Sequence, residues 1–133
     1  MLRSVLVKDY MTKDVVTLNP EMEIQQAVNK LITHDLAGAP VLDSHGRLVG
    51  ILTDRDCMKV AMQGGYHGTP AGLVQDYMSS QPQWVGPEQS ILTLADMFIN
   101  SRFHRYPVVD KGRLVGMISR RDVMRAVGKH YPV

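Results

Sequence analysis

The sequence holds one cysteine, one tryptophan and two phenylalanines in 133 residues. A lone Cys57 excludes an internal disulfide framework, and no Cys or His pair stands at zinc spacing. Long apolar runs are missing: stretches such as Leu48 to Leu52 and Leu114 to Ile118 are far too short to cross a bilayer. No charged-then-apolar signal opens the chain, so a soluble cytoplasmic protein with no membrane partner is expected. Charge of one sign is scarce as well. Fifteen Lys and Arg against thirteen Asp and Glu leave a net of +2, which argues against a protein-wide field for nucleic acid. What remains is ordinary globular usage, 44% hydrophobic and 21% charged. A chain of this size buries roughly two-thirds of its extended surface, enough for a core without metal or disulfide staples.

The charge is unevenly placed. Residues 1–73 carry seven basic and eight acidic side chains, whereas residues 74–133 carry eight and five. The excess lies in Arg102, Arg105, Arg120, Arg121 and Arg125, with Lys111, Arg113 and Lys129. Such a patch suits a small polyanion better than a long one, although a solvated face has the same composition.

The chain is duplicated. Leu6-Val7-x-Asp9-Tyr10-Met11 recurs as Leu73-Val74-x-Asp76-Tyr77-Met78, an offset of 67 that also joins Pro20-Glu21 to Pro87-Glu88 and Pro40-Val41 to Pro107-Val108. One residue is then lost in a turn. The offset becomes 66 for Gly46-Arg47-Leu48-Val49-Gly50 with Gly112-Arg113-Leu114-Val115-Gly116, and for Thr53-x-Arg55-Asp56 with Ser119-x-Arg121-Asp122. Two copies are too few for a solenoid, so two units packed as a pseudo-twofold pair are expected. Residues 63–72, rich in glycine and holding Pro70, mark an irregular connection.

Periodicity supplies the elements of each copy. Ile24, Ala27, Val28, Leu31 and Ile32 fall on one helical stripe, as do Ile91, Leu94, Ala95, Phe98 and Ile99. Short strands are expected before each helix, over 15–18 and 83–85, and two more after each, over 39–42 with 48–53 and 106–109 with 114–119. Asp43-Ser44-His45-Gly46 and Asp110-Lys111-Gly112 supply the turn chemistry of hairpins. A closing helix starts at Thr53 or Ser119. Each unit thus reads β-α-β-β-α, with a small sheet that needs a second layer.

The strand-to-helix junctions carry the most chemistry. Ser or Thr followed three residues later by Asp makes an ordinary helix cap, satisfying the first amides and favouring the positive end of the dipole. The same end binds phosphate through free N–H groups, and a carboxylate can accept from both ribose hydroxyls. Arg120 and Arg121 oppose the dipole there, which a bound anion would offset. Arg102-Phe103-His104-Arg105-Tyr106-Pro107 is a second cluster, able to clamp phosphate and base or simply to start an exposed strand. The first copy has Asp35-Leu36-Ala37-Gly38-Ala39-Pro40 there, without cations.

No nucleophile stands beside a base, so no catalytic residue is assigned. Nor is a metal ligand, since His34-Asp35 is a weak pattern for a metal hydrolase. Cys57 lies just past a helix start, where a thiol pKa falls, or else is a small buried hydrophobe. Met58, Met62 and Met124 are core filler or the lining of a subunit contact.

The paired units, the opening Val-x-Asp-Tyr-Met-[Thr/Ser], the Pro-Val-[Leu/Val]-Asp strand, the Gly-Arg-Leu-Val-Gly hairpin and the closing [Thr/Ser]-x-x-Asp resemble the CBS domain, named for cystathionine β-synthase. The resemblance implies an α/β (α+β) fold of two tandem repeats: repeat 1 over 1–62, a linker over 63–72 and repeat 2 over 73–133, together one Bateman module. With little else left over, the chain looks like a stand-alone CBS-pair protein. In this family the cleft between repeats binds AMP, ADP, ATP, S-adenosylmethionine or NAD(H), and the pair regulates an attached or partner protein, as in energy sensing. It implies an adenine nucleotide as regulatory ligand, no required cofactor, a homodimer and an unidentified protein partner.

Carried over by position, the resemblance gives Asp56 and Asp122 the ribose hydroxyls and Thr53 and Ser119 the phosphate. The base lies against Thr17 and Trp84 and against Gly38-Ala39-Pro40 and Arg105-Tyr106-Pro107. Arg120 and Arg121 add cations, and Phe103 to Val108 looks like the His-Arg segment, here His104-Arg105, with which the gamma subunit of AMP-activated protein kinase holds nucleotide phosphate. Two other functions fit the residues: a ligand-independent structural or dimerisation adaptor, and weak nucleic-acid binding with Trp84, Phe103 and Tyr106 stacking.

Overall fold

The computed structural model describes residues 2–67 and 72–131. After a 3-10 turn at Leu2–Ser4, the elements are α1 (Val7–Tyr10), α2 (Ile24–Thr33), β1 (Gly38–Leu42), β2 (Leu48–Thr53) and α3 (Asp54–His67). Their counterparts are α4 (Val74–Tyr77), α5 (Ile91–Ile99), β3 (Arg105–Asp110), β4 (Arg113–Ser119) and α6 (Arg120–His130). The mixed helix and strand class and the duplication hold.

The chain forms two compact units that exchange their opening segments. Unit 1 joins residues 1–15 to 83–133, and unit 2 spans 16–82. Each copy's opening helix therefore packs on the other copy's hairpin. In unit 1 Thr12 bridges Met117 of β4; in unit 2 Ser79 bridges Ile51 of β2. Two glycines permit this approach. A Cβ at Gly116 would stand 2.8 Å from the Thr12 carbonyl and 2.7 Å from the Met11 sulfur, and one at Gly50 would stand 2.8 Å from the Ser79 carbonyl. The repeated Asp-Tyr-Met and the repeated hairpin glycine are thus two halves of one contact.

Each hairpin is antiparallel, pairing Gly38 with Thr53 and Arg105 with Ser119 at its open end. The first strand of each copy shrinks to one parallel bridge, Leu18 to Val41 and Val85 to Val108. Prolines cause the shortening. Leu18 donates to the Pro40 carbonyl and accepts from Leu42 N–H. The next bond on one side would need an N–H at Pro40 and on the other an N–H at Pro20, and neither exists. Pro107 and Pro87 limit the second copy in the same way.

Each unit has its own core. Unit 2 buries Leu18, Ile24, Ala27, Leu31, Val41 and Leu52 with Val74 and Tyr77 of α4. Unit 1 buries Val85, Ile91, Leu94, Phe98, Val108 and Ile118 with Val7 of α1. The expected helical stripes are one residue too wide: Ile32 and Ile99 are 71% and 80% exposed. At 100° per residue they lie roughly 90° around from the stripe centre, beyond the reach of the core. Residues 63–67 continue α3 rather than forming an irregular loop. Gly64 and Gly65 cost about 1 kcal/mol each against alanine in a helix but do not forbid it. Residues 68–71 of the expected connection lie outside the described residues.

Candidate functional site

Each unit brings three of the expected segments side by side at the open end of its hairpin. In unit 2, Leu18 donates to the Pro40 carbonyl, placing Thr17 beside Gly38-Ala39-Pro40, and Gly38 pairs with Thr53. In unit 1, Val85 donates to the Pro107 carbonyl, placing Trp84 beside Arg105-Tyr106-Pro107, and Arg105 pairs with Ser119. First-strand segment, hairpin strand start and helix start are thus consecutive across each sheet.

The helix starts are built alike. The Thr53 N–H and hydroxyl both donate to Asp56 Oδ2, at 2.9 and 3.0 Å, and Asp56 N–H donates back to the hydroxyl at 3.2 Å. Ser119 and Asp122 repeat this at 2.8, 3.0 and 3.2 Å. A hydroxyl has one proton. Thr53 and Ser119 give theirs to the carboxylate, so in this arrangement they orient the aspartates. Oδ1 of each Asp takes no part in the box. It faces Lys59 Nζ at 3.9 Å in unit 2 and Arg125 NH2 at 3.4 Å in unit 1, two cations that no local motif singled out. Asp56 is 8% exposed and is the buried charged residue of the described chain. The Thr53 N–H and hydroxyl satisfy this buried side chain.

The second cluster divides. Tyr106 is 2% exposed, its ring 5.0 Å from Phe98 and 5.7 Å from Phe103 and its hydroxyl 3.0 Å from Ser101 Oγ. Its ring is core, so only its backbone borders the site. Ala39, Pro40 and Pro107 are likewise buried, His104 is exposed and Arg105 half-buried. Trp84 is 56% exposed and Arg121 is exposed. Arg120 is turned to backbone: Nε donates to the Phe103 carbonyl at 3.0 Å and NH2 to the Ser101 carbonyl at 3.4 Å. Those acceptors account for an arginine in the first helical turn without an anion. Thr17 offers its carbonyl to Lys30 Nζ at 2.9 Å.

Beside this site Cys57 is buried, and burial, with Asp56 and Asp54 next to it, pushes its thiol up rather than down. The thiol therefore stays protonated at neutral pH. Iodoacetamide is expected to label the native protein far more slowly than the unfolded chain; equal rates would contradict the burial. Among the described residues no group of three metal-ligating side chains occurs, and no helix is long and apolar enough to cross a membrane.

The family profile described as the CBS domain matches residues 7–63 and again 74–129. The chain is 33% identical over 118 residues to the CBS domain-containing protein YhcV of Bacillus subtilis, covering 88% of this chain and 81% of that protein. Of another curated relative, from Methanocaldococcus jannaschii, the chain spans only 44% of the length. Among solved structures, CBSX2 in complex with AMP superposes with a TM-score of 0.84 at 28% identity, covering 95% of this chain and 98% of that one. The CBS domain pair of protein MJ0100, in complex with 5′-methylthioadenosine and S-adenosylmethionine, gives 0.82 at 28% identity, with the same coverage of 95% and 98%.

Proposed function

The chain belongs to the CBS-domain family, and from that premise we propose that it is a regulatory module that binds an adenosyl ligand and passes occupancy to a partner protein, without catalysis of its own. The observation that carries this reading is the twice-built box that spends Oδ2 of Asp56 and Asp122 on the helix start and keeps Oδ1 outside it, beside one cation and with acceptor capacity for ribose hydroxyls. The complexes of CBSX2 with AMP and of MJ0100 with 5′-methylthioadenosine and S-adenosylmethionine support the ligand class.

In this reading Trp84 and Thr17 border the base, His104 and Arg105 face phosphate, and Asp122 and Asp56 hold ribose. Signalling needs a ligand that prefers one arrangement of the module over another, because equal affinity for both shifts nothing. The test is a thermal-shift screen of stripped protein against AMP, ADP, ATP, S-adenosylmethionine and NADH. A ligand at 100 times its Kd adds about 2.7 kcal/mol, so the midpoint rises on the order of 10 °C. No rise with any adenosyl ligand rejects the reading. Trp84 is the single tryptophan, so its emission is expected to change with occupancy of unit 1.

A ligand-independent homodimeric adaptor is the second reading, favoured by apolar side chains left on the closing helices. Met58 and Met62 of α3 are 60% and 61% exposed, and Met124 of α6 is 70% exposed. Met124→Glu is expected to lower the molar mass in solution by light scattering if α6 pairs with a second copy. An unchanged mass would exclude α6 from such a contact.

A further inference from the structure

The segment between α5 and β3 is tied to the start of α6 by one residue. Arg120 donates three bonds to three of its carbonyls: backbone N–H to His104 at 3.0 Å, Nε to Phe103 at 3.0 Å and NH2 to Ser101 at 3.4 Å. From below, Ser101 Oγ receives the Phe103 N–H at 3.3 Å and meets the Tyr106 hydroxyl at 3.0 Å, while Phe103 lies against the buried Tyr106 ring. The loop is therefore tied on one side to the helix start and on the other to the core. A guanidinium, with five N–H donors in a rigid fork, is well shaped to reach two carbonyls of one loop at once.

Unit 2 lacks this device. Asp54 stands where unit 1 has Arg120, and it gives only its backbone N–H to Ala37 at 2.7 Å, while its carboxylate accepts from Arg55 N–H. The unit 2 loop turns instead through Asp35 at a left-handed φ of 52° and carries no cation at Ala37 or Gly38. The fork and the cations occur together in one unit and are absent together from the other.

Resting on the reading of unit 1 as an adenosyl site, we propose that Arg120 is a positioning residue. It fixes the Ser101–His104 loop so that His104 and Arg105 meet a ligand phosphate, making unit 1 the unit that selects phosphate-bearing ligands. A loop already held in place loses less conformational freedom when an anion arrives. The guanidinium acts through the loop backbone and not on the ligand.

The test uses the full chain, stripped of nucleotide, titrated with AMP and with 5′-methylthioadenosine, which has the nucleoside but no phosphate. Arg120→Ala is expected to weaken AMP about tenfold, the scale of one charge-assisted hydrogen bond, and to leave 5′-methylthioadenosine within about twofold. Arg120→Lys, which restores the cation and its N–H donors but not the planar fork, is expected to recover part of the loss. In a double-mutant cycle with His104→Ala the two losses should not add, since one acts through the other. Equal losses for both ligands, or no loss for AMP, would overturn the proposal. So would wild-type protein that binds 5′-methylthioadenosine but not AMP. Wild-type protein that binds neither overturns the proposal, and if ADP, ATP, S-adenosylmethionine and NADH fail to bind as well, the adenosyl reading falls with it.

Discussion

Asp122→Asn is expected to weaken an adenosyl ligand by about tenfold to a hundredfold while leaving the fold nearly as stable as before. The asparagine carbonyl can still accept from Ser119, where Asp122 Oδ2 accepts at 2.8 and 3.0 Å. The other end of the side chain becomes an NH2, which cannot accept from a ribose hydroxyl. Losing that charged acceptor costs roughly 1–3 kcal/mol of binding. Asp122→Ala removes both functions, so it adds about 1 kcal/mol of lost capping to the same loss of affinity. Asp56→Asn makes the parallel measurement in unit 2. Affinity in Asp122→Asn equal to wild type would remove Asp122 from the site, and a large loss of stability in Asp122→Asn would show that the asparagine no longer caps α6.

The second large effect is on folding. Gly116→Ala is expected to destabilise the protein by about 1–3 kcal/mol, the usual cost of forcing an extra carbon into a packed contact. The new Cβ would stand 2.8 Å from the Thr12 carbonyl, a backbone atom that cannot swing aside, and must break the bridge between Thr12 and Met117. Gly50→Ala does the same at Ser79. The control is Gly128→Ala in α6, where nothing lies within 4 Å; it is expected to be neutral or to stabilise by up to about 1 kcal/mol through helix propensity. Chemical denaturation measures all three. Equal stability of Gly116→Ala and wild type would mean that residues 1–15 do not pack on β4.

That contact shows where the sequence stopped being readable. The duplication, the hairpins and the helix starts at Thr53 and Ser119 are local patterns, and each stands where its pattern puts it. The exchange of opening segments is not local: Met11 and Gly116 are paired only through the fold, and no periodicity links them. The short helices α1 and α4, four residues each, are too brief to show a period. The first strands, expected over 15–18 and 83–85, shorten to single bridges because the neighbour presents Pro40 or Pro107 where a donor is needed, which the residues of the strand itself do not record. At the helix starts, the capping aspartates were legible from their spacing. The task of Arg120 was not, because its acceptors are backbone carbonyls, which no side-chain pattern records. Tyr106 was misread as a ring free to stack because strand position alone does not say which face meets Phe98.

The most direct measurement is a calorimetric titration of the stripped protein with AMP and, in parallel, with 2′-deoxy-AMP. Ribose held by the Asp56 and Asp122 carboxylates predicts saturable binding of AMP and an affinity for the deoxy analogue lower by about tenfold, the worth of one hydrogen bond to a charged group. Absence of binding heat with AMP, or equal affinity for the two nucleotides, would contradict it.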